Sequence, residues 1–149
     1  MIRNTSQNST PESSPIVWGS VLASNVMPDG QNLWIIRLIL PPGTELPHWT
    51  RLGLTTIYVE FGVLQFTGVT GNGDLTRGIQ PVEHTSTRTG EFTRMESGDS
   101  VTVNRGIQHS LFNPVNQPTS IIVTTIAPGD VVPFNGLWSA EGYPIQIEK

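Results

Sequence analysis

GDSVTVNRGIQHSLFN, residues 98–113, reads as two short strands folded back on each other. Gly98-Asp99 turns the chain into the alternating run Ser100–Val103. Asn104-Arg105-Gly106 turns it out again, with a glycine free to take positive φ. His109 opens the next run, Ser110–Phe112, and strand alternation puts His109, Leu111 and Asn113 on one face.

The same pattern extends outward. Upstream lie the runs Ile16–Leu22 and Leu33–Leu40, split by the turn Met27-Pro28-Asp29-Gly30. Thr55–Phe61 and Val63–Val69 follow, joined at Gly62, and then the turn Gly71-Asn72-Gly73-Asp74. Downstream lie Glu91–Met95 and Thr119–Ile126, while residues 74–90 carry only weak patterning. The runs are rich in Val, Ile, Thr, Phe and Tyr, as strands are. No window holds a helical apolar stripe, apart from one turn's worth near Leu137–Glu141. With Gly 15 and Pro 12 in 149 residues, the sequence predicts an all-β sandwich, barrel or jelly roll of about eight to ten strands.

Composition narrows the function classes. The chain is long enough for one domain with a substantial core. Residues 1–14 are polar and read as a disordered tail, with a single domain over 15–149. Net charge is −4, and the eight Lys and Arg are scattered, which argues against a nucleic-acid partner. With no cysteine, disulfide scaffolds, thiolate nucleophiles and cysteine–metal sites are excluded. No apolar run matches a signal segment or a membrane helix, so the expectation is a cytoplasmic protein with no membrane partner.

The stretch 98–113 resembles the second signature of the cupin family, G-x5-P-x-G-x2-H-x3-N. Gly98, Gly106, His109 and Asn113 match, and Asn104 replaces the proline. Residues 43–62 resemble the first signature, G-x5-H-x-H-x3–4-E-x6-G. His48 and Gly62 match, Thr50 stands for the second histidine, Thr55 stands for the glutamate, and Gly43 sits one residue too close to His48. The resemblance spans roughly residues 15–130. It implies a double-stranded β-helix, a jelly-roll barrel whose family members are often dimers. In the family, three histidines and a glutamate at these positions hold a divalent metal. Fold alone does not choose among the family's dioxygenases, isomerases, decarboxylases, sugar-binding regulators and storage proteins.

Strand alternation predicts that Thr55, Ile57, Val59 and Phe61 face the barrel interior, with Tyr58 and Glu60 outward. His48 and His109 are then the only imidazoles at ligand positions. Two imidazoles with threonine hydroxyls fall short of the ligands that catalytic zinc or non-haem iron requires. His84 reads as part of a solvated loop, Glu45 as part of an entry loop, and Glu83, Glu91 and Glu96 as solvent charges. Arg37 and Arg105 also read as solvated, although an anion-binding role for Arg37 stays open. Trp18 and Trp34 read as core or dimer packing, Trp49 as a rim residue, and Trp138 as a cover for a barrel end.

The reading is a small-molecule-binding barrel with an incomplete metal site. His48 and His109 anchor the ligand, with Thr50, Thr55 and Asn113 beside them. The alternative is a metal-dependent enzyme of dioxygenase or isomerase type, holding Zn, Fe, Ni or Mn weakly through His48 and His109. A third reading is an oligomeric structural or regulatory subunit without a small ligand. A homodimer is expected in any of these, with Ile16–Leu22 as a candidate for crossing to the partner.

Overall fold

The computed structural model describes residues 17–46, 53–129 and 145–147. His48, Trp49, Thr50, Trp138, the turn near Leu137–Glu141 and the tail 1–14 lie outside the described residues. Among the described residues every regular element is a strand. These are β1 (Val17–Val26), β2 (Asn32–Leu40), β3 (Glu45–Leu46), β4 (Thr55–Phe61), β5 (Val63–Gly68), β6 (Asp74–Arg77), β7 (Gln80–Ser86), β8 (Phe92–Glu96), β9 (Ser100–Val103), β10 (His109–Phe112), β11 (Thr119–Ala127) and β12 (Ile145–Ile147). No helix among them is long and apolar enough to cross a membrane.

Two sheets form the barrel. One runs β12-β1-β2-β11-β4-β9-β6-β7 and the other β3-β10-β5-β8. All pairings are antiparallel except β12 against β1. Hydrophobic alternation sets the register. Ile36 pairs Val123, Val123 pairs Ile57, Ile57 pairs Val101 and Val101 pairs Leu75, a buried row across five strands. Phe66, Met95, Leu64 and Leu111 face it from the second sheet. Each such side chain contributes roughly 1.5–3 kcal/mol on burial, more than the ~1 kcal/mol net of a single hydrogen bond, so packing decides the register.

The structure corrects the sequence expectations in three places. The weakly patterned stretch 74–90 is the β6–β7 hairpin, and His84 lies on a strand rather than a loop. Strand β7 is exposed along its whole length, so neither face needed apolar residues and no alternation was visible. Phe61 is half exposed instead of inward. Ser120 pairs Phe61 while Ile121 pairs Val59, so Glu60 is an extra residue and a bulge turns the end of β4 away. Glu45, expected in an entry loop, lies on the short strand β3. Of the two tryptophans read as core or dimer packing, Trp34 packs against the core and Trp18 is half exposed.

Gly62 makes the tight β4–β5 link possible. Its φ is +92°, and a Cβ there would lie 2.6 Å from Thr119 Oγ1 and 2.9 Å from Thr119 Cα. Only glycine accommodates both.

Phe66 fills the centre of the barrel with no exposure. Truncation by Phe66→Ala should destabilise the fold by about 3–5 kcal/mol in urea unfolding, through lost transfer energy and a residual cavity. A cost below ~1 kcal/mol would mean that the barrel interior is not packed as described.

Candidate functional site at one end of the barrel

Strand β9 ends at Val103, whose neighbour on β4 is Thr55, and Thr55 in turn pairs Thr125 on β11. The turn 104–108 then carries the chain to His109, the first residue of β10 in the opposite sheet. His109 and the Thr55–Thr125 pair therefore stand at the same end of the barrel. All three are buried.

The His109 ring stacks on Phe66, with centroids 5.8 Å apart and planes 25° from parallel. Its Nδ1 lies 3.5 Å from the Ile107 carbonyl oxygen, a long contact for a hydrogen bond. The Thr55 hydroxyl donates to the Gly53 carbonyl at 2.9 Å and lies 2.8 Å from the Thr125 hydroxyl. A hydroxyl has one hydrogen, so Thr125 is the donor in the second bond. Both hydroxyl hydrogens are thereby used within the wall, and the remaining capacity of the pair is acceptor lone pairs.

Asn113 keeps the inward parity expected of it but sits at the other end of β10. Four residues of extended chain place it roughly 13 Å from His109. Its side-chain amide donates to the carbonyls of Leu40 and Gln117, and its Oδ1 accepts from the Val115 N–H. Its backbone also pairs with Gly43 and Thr44. Asn113 thus fastens the β10–β11 loop to the end of β2. The Asn113-Pro114 turn was the sequence signal for this role.

The signature glutamate is replaced by Thr55, and the nearest carboxylate on the same strand is committed elsewhere. Glu60 accepts from Arg37 Nε at 2.7 Å and Nη2 at 2.9 Å, and from the Ser120 hydroxyl at 2.7 Å. Arg37 is therefore ion-paired rather than free in solvent. His84 contacts Asp74 at 3.1 Å on the exposed hairpin, and Glu96 pairs Arg94 in solvent. No group of three or more His, Cys, Asp or Glu able to hold a metal exists among the described residues. Neutral hydroxyls with their hydrogens used, and no carboxylate beside His109 among the described residues, do not fit the family's divalent metal.

Thr125 was missed by sequence reasoning. Its signal was present, a hydroxyl at the inward parity of Ile121 and Val123.

No protein-family model matches the chain, and no curated protein matches it in sequence. Solved structures match its fold. A cupin superfamily protein from Desulfitobacterium hafniense aligns over 80% of this chain and 83% of its own, at 12% identity and TM-score 0.53. A protein with a double-stranded β-helix domain from Klebsiella pneumoniae aligns over 75% and 76%, at 19% identity and TM-score 0.51. A Cupin 2 conserved barrel domain protein from Salinispora arenicola aligns over 72% of each chain, at 12% identity and TM-score 0.51. The protein thus has the double-stranded β-helix fold of the cupins.

The Arg37 and Ser120 bonds hold the Glu60 carboxyl at about 2, below its ordinary value of 4.5, despite an opposing effect of burial. A depressed carboxyl stabilises the fold above its unfolded value and loses that contribution as pH falls through the folded one. Stability should therefore decline between pH 4.5 and about 2. Glu60→Gln should flatten that part of the profile, read as denaturation midpoint against pH. An unchanged slope would place the acid sensitivity in other groups.

Proposed function

We propose that this protein is a cupin-fold binding barrel. It takes a small hydroxylated ligand at the end where His109 meets the Thr55–Thr125 pair, without a resident metal. The observation that carries this reading is the occurrence, at the same barrel end, of a buried imidazole from one sheet and a buried hydroxyl pair from the other. A few polar groups set among apolar side chains is the usual make-up of a small-molecule site. The hydroxyl pair offers acceptors, so the ligand supplies O–H or N–H donors, as a sugar or a hydroxy acid does. His48 enters the proposal on sequence alone, as the matching histidine of the first signature. Asn113 leaves it, because its amide is used at the far end of β10.

A homodimer belongs to the same reading. It is supported by half-exposed aromatics on the outer face of the larger sheet: Trp18, Tyr58 and Phe61. Register places Trp18, Ile39, Ser120 and Phe61 in one row, with Arg37, Ile122 and Tyr58 in the next. A second copy would remove this surface from water.

A thermal-shift panel of sugars and hydroxy acids tests the ligand. At about a hundredfold excess over Kd, a binder should raise Tm by roughly 5–10 °C. The isosteric Thr125→Val should lose most of that gain, as should His109→Ala and His48→Ala, while elemental analysis finds no stoichiometric metal. One tightly held Zn, Fe, Ni or Mn per chain, lost in His109→Ala, would replace this reading with the metalloenzyme. A panel without any hit would favour a structural subunit. Light scattering should give twice the chain mass, and Tyr58→Asp should return it to the monomer value.

A further inference from the structure

At the end of β9 away from His109, two turns meet. The β6–β7 turn is Gly78-Ile79, and the β8–β9 turn is Ser97-Gly98. They pack backbone against backbone: a Cβ on Gly78 would lie 3.0 Å from the Gly98 carbonyl carbon and oxygen. Beside this contact opens a cleft of about 830 Å³, lined by Arg77, Ile79, Gln80, Arg94, Ser97 and Gly98 among others.

The polar groups of the cleft are prearranged by Asp99. This buried carboxylate accepts from the backbone N–H groups of Gly78 in the β6–β7 turn at 2.9 Å and of Glu96, the last residue of β8, at 2.8 Å. It also accepts from Arg77 Nη1 at 2.9 Å, and the same nitrogen donates to the Arg94 carbonyl at 2.8 Å. Burial alone would push the Asp99 carboxyl up. The Glu96 and Gly78 N–H bonds and then Arg77 outweigh it and hold the group below its ordinary value, so the clamp stays charged.

One corner of the Arg77 guanidinium is thereby fixed, while Nε and Nη2 make no hydrogen bond among the described residues. Those two N–H groups are the fork that donates two parallel bonds to a carboxylate. Fixing the guanidinium in advance reduces the entropy lost when a ligand is gripped. Arg94 borders the cleft with its Nε on Glu96, leaving its Nη groups as further donors. Arg77 and Arg94 are balanced by Asp99 and Glu96, so the lining has no surplus positive charge for a dianion. An exposed Ile79 at the turn tip offers an apolar wall.

We propose that this cleft binds a small monocarboxylate with an apolar body, its carboxylate on the open edge of Arg77 and its body against Ile79. The site is separate from the barrel end where His109 lies, and its test does not depend on the ligand proposed there.

Benzoate is the probe and benzamide its neutral counterpart. In an amide NMR titration of the full chain, benzoate should give saturable shifts centred on Gly78, Ile79, Ser97 and Gly98. Benzamide should bind about tenfold more weakly or not at all, as expected when a charge-assisted pair is lost. Arg77→Gln should abolish saturation. Arg94→Gln, on an exposed side chain outside the Asp99 clamp, should weaken binding several-fold with the spectrum otherwise unchanged. Equal binding of benzoate and benzamide, shifts centred away from these turns, or no saturable shift in the wild type would each overturn the proposal.

Discussion

The buried row Ile36–Val123–Ile57–Val101–Leu75 is the constraint on which the rest of the molecule depends. It threads five adjacent strands that are scattered along the sequence. Because side chains alternate across a strand, a one-residue slip in any of them would bring out its apolar face and bury its polar one. That cost, several side chains at roughly 1.5–3 kcal/mol each, exceeds what the ladder hydrogen bonds can restore. The row therefore fixes the registers. The registers in turn deliver Thr55 beside Thr125, and place the start of β10 opposite them.

Polar residues within this frame divide by use. Glu60, Asp99 and Asn113 each satisfy several partners and join segments distant in sequence. Glu60 ties β4 to β2 and β11, Asp99 joins two turns, and Asn113 fastens a loop. Two of the three are carboxylates. Here their lone pairs are taken by arginine and backbone N–H groups. The described barrel end presents the His109 imidazole and the paired hydroxyls of Thr55 and Thr125.

The bulge at Glu60 connects these uses. By inserting one residue into β4 it turns Phe61 out of the interior and lets Glu60 meet Arg37 and Ser120. Gly62 then reverses the chain where a side chain would strike Thr119. The result is an apolar interior bounded by an outer face carrying an ion pair among aromatics.

Much of this was legible in the sequence. Alternating apolar residues between Gly- and Pro-containing turns determined the all-β class, the inward parity of Thr55, Ile57, Val59, His109 and Leu111, and the glycine turns at 62, 98 and 106. Alternation is a local property, fixed by strand geometry alone. The sequence also determined that the glutamate position holds a threonine. Only the tertiary structure decided which polar groups meet: Thr55 with Thr125, Arg37 with Glu60, and Arg77 with Asp99, partners separated by 70, 23 and 22 positions. It alone revealed the exposed strand β7, the outward turn of Phe61, and Asn113 at the far end of its strand. Long-range pairing depends on register summed over the whole sheet, and a bulge or an unburied strand leaves no periodic mark on the chain.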